Sequence, residues 1–132
     1  MIETALVTGA SSGIGETFVR ELANRKTNLI LVARSQNKLE QLASELTSKH
    51  QIKTEVIVQD LTEPGAGQAV FDRVQAEGLS IDLLINNAGF GDYGAFSDRD
   101  LSKQIAMVQL NITVLLELTG LFLPEMQELG SG

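Results

Sequence analysis

The segment 8–15, Thr-Gly-Ala-Ser-Ser-Gly-Ile-Gly, combines residue types that can bind phosphate. A short apolar run precedes it and an amphipathic stretch follows it, which predicts a turn between a strand and a helix. Gly9 allows a tight turn, Gly13 lets the backbone approach a pyrophosphate, and Gly15 lets the helix pack closely on the sheet. The first N–H groups of the helix, at the positive end of its dipole, would face the phosphates. The residues predicted to bind there are Gly9, Ser11, Ser12, Gly13, Ile14 and Gly15.

Basic residues follow the second apolar run. Arg34 comes directly after it, Lys38 lies one helical turn further, and no acidic residue stands at this point of the sequence. In dinucleotide-binding folds an acid here contacts the ribose 2′-hydroxyl, whereas an arginine suits a 2′-phosphate. The sequence therefore predicts NADP rather than NAD as the cofactor. The alternative is that Arg34 only places a charge in solvent at the end of the strand.

Apolar runs alternate with helical patterns along the chain. Runs dense in Val, Ile and Leu, typical of buried parallel strands, occur at 4–8, 28–33, 53–59 and 82–86. Helical spacing of apolar residues connects them. The residues that carry this spacing are Ile14, Phe18 and Leu22, with Val19 and Ala23 beside them, in the first helix, Leu39, Leu42, Ala43 and Leu46 in the second, and Ala66, Val70 and Val74 in the third, which is entered near Pro64.

This order of elements predicts an α/β fold. It is a Rossmann-type doubly wound open parallel sheet, with helices on both faces. Right-handed crossovers then give the strand order 3-2-1-4 and place the first strand inside the sheet. Residues 1–132 are expected to form a single dinucleotide-binding domain, truncated before the later strands of such a fold.

Composition disfavours several classes of function. Ten basic and seventeen acidic residues give a net charge of −7, which argues against nucleic acid as a partner. There is no cysteine, and His50 is the only histidine, so neither a disulfide scaffold nor a metal site is expected. The chain does not open with the pattern of a secretory leader, which favours a cytoplasmic protein.

An apolar segment at 105–123 is nearly long enough to cross a membrane. It contains Gln109, Asn111 and Glu117, and a carboxylate in the middle of a bilayer costs about 2.5–3.5 kcal/mol. A fully buried helix of a globular domain has the same apolar character. The segment is therefore predicted to be a core helix, and no membrane partner is expected.

Several motifs together resemble those of the short-chain dehydrogenase/reductases. They are Thr-Gly-x-x-x-Gly-x-Gly at 8–15, Asp60-Leu61 after the third strand, and Asn86-Asn87-Ala88-Gly89 after the fourth. Asn111 stands in the long helix where that family keeps a catalytic asparagine. The resemblance implies that Asp60 binds the adenine amino group and that Leu61 packs on the ring. It also implies that Asn87, Ala88 and Gly89 line the nicotinamide ribose, while Asn86 braces strand four.

The resemblance implies an NADP-dependent oxidoreductase that transfers hydride between the nicotinamide and a carbonyl or alcohol substrate. The family also uses a serine and a Tyr-x-x-x-Lys pair, and this chain has neither in place. Its single tyrosine, Tyr93, is followed four residues later by Ser97, and its last lysine is Lys103. The chain is therefore expected to be the cofactor-binding, amino-terminal part of a longer enzyme and to be inactive alone. The final Gly-Ser-Gly is either native or an appended linker.

Two other functions stay open at this point. One is a non-catalytic nucleotide-binding or sensing module of the same fold, which needs no tyrosine. The other is an interaction domain that uses the apolar helix at 102–128 as its contact surface. The helix is also the basis for expecting a homodimer or higher association. The residues expected to be left uncovered are Met107, Leu110, Val114, Leu118, Leu121 and Phe122.

Overall fold

The computed structural model describes residues 2–132. Strands and helices alternate through the first two-thirds of this part of the chain, and a long helical region follows. The elements are β1 (Thr4–Thr8), α1 (Gly13–Asn24), β2 (Asn28–Ala33), α2 (Gln36–His50), β3 (Thr54–Val58), α3 (Ala66–Ala76), β4 (Leu83–Ile85), a 3₁₀ turn (Phe96–Asp98), α4 (Leu101–Val108), a π-helical segment (Gln109–Thr113) and α5 (Val114–Leu129).

The four strands form one parallel sheet with the order β3-β2-β1-β4. Val7 at the centre of β1 lies opposite Leu31 of β2 and Ile85 of β4. The predicted doubly wound fold and its strand order are therefore confirmed. The strands predicted at 53–59 and 82–86 are shorter in the structure, because β3 pairs with only five residues of β2 and β4 with only three residues of β1.

Helices cover both faces of the sheet, as right-handed crossovers require. Alternate residues of β1 point to opposite faces: Val7 belongs to the core under α1 and α2, and Leu6 to the core under α3 and α5. On the second face the rings of Phe71 and Phe122 meet edge to face, with centroids 5.1 Å apart. The carboxyl ends of the strands, where ligands bind in such sheets, therefore open onto one edge between two packed layers.

The buried face of α1 differs from the one that its apolar spacing predicts. Ile14 and Phe18 are 70% and 43% exposed, so the four-residue spacing that they share with Leu22 does not mark the buried face. The residues that face the sheet are Gly15, Val19, Leu22 and Ala23. The reason is steric: Gly15 lies where the helix meets the phosphate turn, and this contact rotates the neighbouring apolar stripe toward solvent.

The covered side of the long helical region also corrects an expectation. Val114, Leu118 and Phe122 are buried in the core with α3, and Met107, Leu110 and Leu121 are half-buried, so these residues are not left bare. The apolar side chains that stay exposed face the other way. We call them the outer helix surface: Leu101, Ile105, Val108, Ile112, Leu115, Leu116 and Leu123.

By length and composition alone, Leu101–Leu129 is the one helix in the described part of the chain that could cross a bilayer. Its inner side nevertheless packs on α3 and the sheet. The long helix is thus a layer of the α/β fold with one buried side. The prediction of a core helix is right for that side only, because most of the apolar segment stays exposed.

Candidate functional site

The turn from β1 into α1 needs glycine at two positions. Gly9 and Gly13 have φ angles of +64° and +57°, in the left-handed region that other residues adopt only with strain. A Cβ on Gly9 would lie 2.8 Å from Nδ2 of Asn87. A Cβ on Gly13 would meet no atom within 4 Å. Gly9 therefore allows close packing of two loops, and Gly13 leaves open space where the helix begins.

Thr8 joins this turn to the segment that follows β4. Its buried hydroxyl accepts hydrogen bonds from the backbone N–H groups of Asn87 and Ala88, both at 3.0 Å. The Asn87 amide Nδ2 in turn donates to the carbonyls of Thr8 and Gly9, at 3.1 and 3.2 Å. These contacts fix the two loops relative to each other, although they lie almost eighty residues apart in the sequence.

The first turn of α1 is left open to a ligand. Ser12 is the N-cap residue, and within residues 2–132 its side chain makes no capping hydrogen bond to the helix. Gly15 lies beneath the turn, so tightly that a Cβ there would overlap the Gly9 carbonyl and the Asn87 amide. The helix start can therefore present unpaired N–H groups to an anion.

A cleft of about 610 Å³ runs along the carboxyl edge of the sheet beside this turn. Its volume is within the range of small-molecule sites. Eight of the predicted site residues line it: Gly9, Ser11, Ser12, Arg34, Asp60, Leu61, Ala88 and Gly89.

Five predicted residues do not line the cleft: Gly13, Ile14, Gly15, Asn87 and Asn111. Gly13 and Ile14 lie exposed at the helix start, and Gly15 is buried beneath it. Asn87 is occupied in bracing the phosphate turn. The bracing role implied for Asn86 takes a different form, because its amide donates to the Thr119 hydroxyl of α5 at 3.1 Å.

Arg34, Ser35 and Lys38 form the wall of the cleft beyond β2, and Asp60 faces them from beyond β3. Arg34 is exposed and makes no ion pair with another residue of the described chain. The Thr62 hydroxyl and N–H both donate to Oδ1 of Asp60, at 2.7 and 3.0 Å. These two bonds, aided by the charge of Arg34, hold the pKa of Asp60 below its usual value. The cleft end thus carries a cation that has no ion pair among residues 2–132 and a carboxylate whose charged form is favoured by its hydrogen bonds.

Asn111 lies in the π-helical segment, a feature that often marks functional sites. Its side chain is paired with the backbone of Phe90: Nδ2 donates to the carbonyl at 2.7 Å, and Oδ1 accepts from the N–H at 3.0 Å. The two bonds attach the long helix to the loop after β4, at the point where Phe90 lines the cleft. A catalytic role for Asn111 stays a prediction.

Several residues of the site were absent from the predicted set. Thr8 is the hydrogen-bond centre of the two loops, while Phe90 and Leu110 line the cleft on the side of the long helix. Thr8 is part of the glycine motif, but that motif does not indicate which distant loop its hydroxyl contacts. Phe90 begins the aromatic loop after the fourth strand, on the same edge of the sheet as the phosphate turn, and that position was a usable signal. Leu110 had none, because only the fold brings the long helix to the cleft.

Comparison with known proteins places this fold and site in a family. Residues 3–132 match the short chain dehydrogenase family. The chain is 40% identical over 136 residues to a very-long-chain 3-oxoacyl-CoA reductase of Anas platyrhynchos, covering 97% of the chain and 42% of the reductase. It is 30% identical over 115 residues to the 7beta-hydroxysteroid dehydrogenase of Collinsella aerofaciens, covering 87% and 43%. The chain belongs to the short-chain dehydrogenases.

Solved structures agree in fold over nearly the whole chain. A bulky-bulky ketone specific alcohol dehydrogenase from Comamonas testosteroni superposes with a TM-score of 0.91 at 38% identity, covering 98% of this chain and 52% of that one. A short-chain dehydrogenase from Sphingobium yanoikuyae in complex with NADPH has the same score at 36% identity, covering 98% and 50%. The chain thus spans two-fifths to one-half of the length of these relatives.

Proposed function

We propose that the cleft binds NADP(H), and that the chain is the cofactor-binding, amino-terminal part of an oxidoreductase. The whole protein would transfer hydride between the nicotinamide and a carbonyl or alcohol. The observation that carries this proposal is that one cleft combines a helix start without a side-chain cap and a cation, Arg34, without an ion pair, both judged over the described residues 2–132.

The turn at 8–15 fits a pyrophosphate. The helix start offers N–H groups and a positive dipole end, and the glycines leave the backbone bare where phosphate oxygens must approach. Ser11 and Ser12 add hydroxyl donors on the cleft wall. All these donors are neutral, which is compatible with the acidic character of the chain.

The far end of the cleft fits the adenosine part of NADP. Arg34, with Lys38 behind it, would bind the 2′-phosphate through charge-assisted hydrogen bonds. One oxygen of Asp60 is used by Thr62, which leaves the other free to accept from the adenine amino group. The NADPH complex of the Sphingobium yanoikuyae relative supports the same choice of cofactor.

The bound cofactor would donate a hydride to a carbonyl as NADPH or accept one from an alcohol as NADP⁺. This chain would bind the cofactor and contribute the loop beside it. The relatives named above act on a very-long-chain 3-oxoacyl-CoA, a hydroxysteroid and bulky ketones. We propose a bulky carbonyl or alcohol substrate for the whole protein on this basis. The alternative function is a non-catalytic nucleotide-binding or sensing module of the same fold, which needs no Tyr-x-x-x-Lys pair.

Calorimetric titration of the 132-residue chain with NADPH and NADH tests the proposal. We expect tighter binding of NADPH, and loss of about 10- to 100-fold of that affinity in Arg34→Asp, with little change for NADH. Arg25→Asp is the matched control, because Arg25 pairs only with Glu21 at the far end of α1. Equal affinities in the unmodified chain would contradict NADP specificity, and binding of neither cofactor would contradict the proposal itself.

We also propose that the outer helix surface pairs two copies of the chain. Its large apolar side chains lie exposed on one long helical region, and burying each one is worth about 1.5–3 kcal/mol. A symmetric helix-on-helix dimer would cover this surface on both copies. A lipid bilayer is the competing occupant, which flotation with phosphatidylcholine vesicles would detect.

A further inference from the structure

The loop between β4 and α4 carries two aromatic side chains into solvent. Tyr93 is 93% and Phe96 73% exposed, although the loop begins at the wall of the cofactor cleft. Exposed aromatic rings on a loop at the carboxyl edge of such a sheet are well placed to contact a ligand. They can do so reproducibly only if the loop has a fixed shape.

Asp92 fixes that shape from inside the loop. Its side chain is only 14% exposed, and it accepts a hydrogen bond from the Tyr93 N–H at 2.9 Å on Oδ1 and from Nε2 of Gln104 at 3.1 Å on Oδ2. The ammonium of Lys103 lies 3.9 Å from Oδ1. Two of these partners belong to α4, so the carboxylate attaches the loop to that helix.

Arg99 completes the cluster from the other end of the loop. Its Nη1 lies 3.7 Å from Oδ1 of Asp92. The guanidinium packs on Gly94, whose φ of +137° and lack of a side chain make room for it. Nε of Arg99 is buried and has no hydrogen-bond partner among the described residues, so this cation depends on the nearby carboxylate.

We propose that Asp92 is a positioning residue for the substrate side of the site. By holding Arg99, Lys103 and Gln104 together, it keeps the loop in the shape that presents Tyr93 and Phe96 as an apolar wall for the substrate. The Asn111 contact fixes the cofactor end of the same loop. Asn111 therefore holds the loop beside the cofactor, and Asp92 holds it beside the substrate. This role rests on the proposed function, because it assumes that a substrate meets the cofactor beside this loop.

The chain contains one tyrosine and no tryptophan, so fluorescence excited at wavelengths that phenylalanine does not absorb reports on Tyr93 alone. Time-resolved anisotropy should show a larger fast-motion amplitude in Asp92→Asn, which keeps the shape but removes the charge. Gln104→Ala should change the anisotropy in the same direction by a smaller amount. Asp98→Asn is the matched control, since Asp98 lies exposed in the same loop outside the cluster, and it should leave the anisotropy unchanged.

Hydrogen exchange distinguishes a role of Asp92 in positioning the loop from a role in the stability of the whole fold. In Asp92→Asn we expect exchange at 90–98 to rise about tenfold or more, while β1 and β2 exchange as before. Faster exchange throughout the sheet, without a selective change in the loop, would show a merely structural role and overturn the proposal. An unchanged anisotropy in both Asp92→Asn and Gln104→Ala would overturn it as well.

Saturation-transfer NMR with 2-undecanone, in the presence of saturating NADP⁺, tests the substrate side. The chain and Asp98→Asn should transfer saturation to the ketone, and Asp92→Asn should lose the signal several-fold while its NADP⁺ affinity stays the same. No transfer in the unmodified chain, or an undiminished signal in Asp92→Asn, would refute the apolar wall. If NADP⁺ itself fails to bind, the proposed function fails, and the anisotropy still decides whether Asp92 holds the loop.

Discussion

Replacing Gly15 with alanine tests the phosphate turn directly. The added methyl group would overlap the Gly9 carbonyl and the Asn87 amide. The first is backbone in a turn already constrained by the positive φ of Gly9. The second is a side chain held by two hydrogen bonds to Thr8 and Gly9. Neither atom can move without disrupting the contact between the two loops.

The size of the effect follows from these contacts. Overpacking a tight site costs about 1–3 kcal/mol, and each Asn87 hydrogen bond that is lost costs about 0.5–1.5 kcal/mol. Alanine itself stabilises the helix by about 0.5–1 kcal/mol, because glycine inside a helix loses more conformational entropy on folding. We expect a net loss of about 2–4 kcal/mol from the free energy of unfolding. For a domain of this size, that lowers Tm by roughly 6–16 °C.

Thermal unfolding followed by circular dichroism, together with NADPH titration, measures both consequences. Gly15→Ala should lower Tm and weaken NADPH binding. Gly120→Ala is the control, because that glycine lies within α5 with no atom near the added methyl group, and it should be neutral or slightly stabilising. A Gly15→Ala variant with the Tm and NADPH affinity of the unmodified chain would refute the steric reasoning.

Three further outcomes are expected. Light scattering at low micromolar concentration should give about twice the 14.2 kDa mass of one chain, and Ile112→Glu with Leu116→Glu should return it to one chain; a stable monomer without substitution would contradict the dimer. The folded-state pKa of Asp60 is lowered, so its stabilising effect should be complete above about pH 4 and be lost as the pH falls through that lowered value. Thr62→Val removes the hydroxyl that lowers this pKa. The variant should therefore lose less Tm between pH 6 and pH 3 than the unmodified chain does. The purified chain should not oxidise NADPH with any aldehyde or ketone in an absorbance assay at 340 nm, and steady turnover would show that another group replaces the missing tyrosine.

The sheet could be predicted because the residues that define each strand are neighbours in the sequence. Runs of Val, Ile and Leu define the strands, and the handedness of parallel crossovers then fixes the order β3-β2-β1-β4 without further data. The glycine spacing at 8–15 likewise predicts the turn, since a positive φ and close approach leave few alternatives to glycine.

The errors arose where periodicity allows two answers. Two adjacent stripes run along α1, one through Ile14 and Phe18 and the other through Gly15 and Val19. The first stripe is the more apolar, but the second is the one that is buried. Gly15 carries no hydrophobic signal, yet its lack of a side chain decides which stripe meets the sheet. The π-helical segment around Asn111 has no periodic signature either.

The polar contacts of the site were beyond sequence reasoning because they join distant segments. Thr8 meets Asn87, and Asn111 meets Phe90, only after the sheet and the long helix have formed. The cluster around Asp92 is local in sequence, but Gln104 reaches it only because α4 folds back over the loop. The positions of charged residues in the sequence do not predict this contact between Asp92 and Gln104.

The central claim is that the cleft between the phosphate turn and Arg34 binds NADP(H). Mapping the ¹⁵N amide shifts of the chain during an NADPH titration tests it most directly. Saturable shifts should concentrate at 9–15, 33–35, 59–62 and 87–90, and they should weaken in Arg34→Asp. Absence of saturable shifts, or shifts confined to the outer helix surface, would contradict the claim.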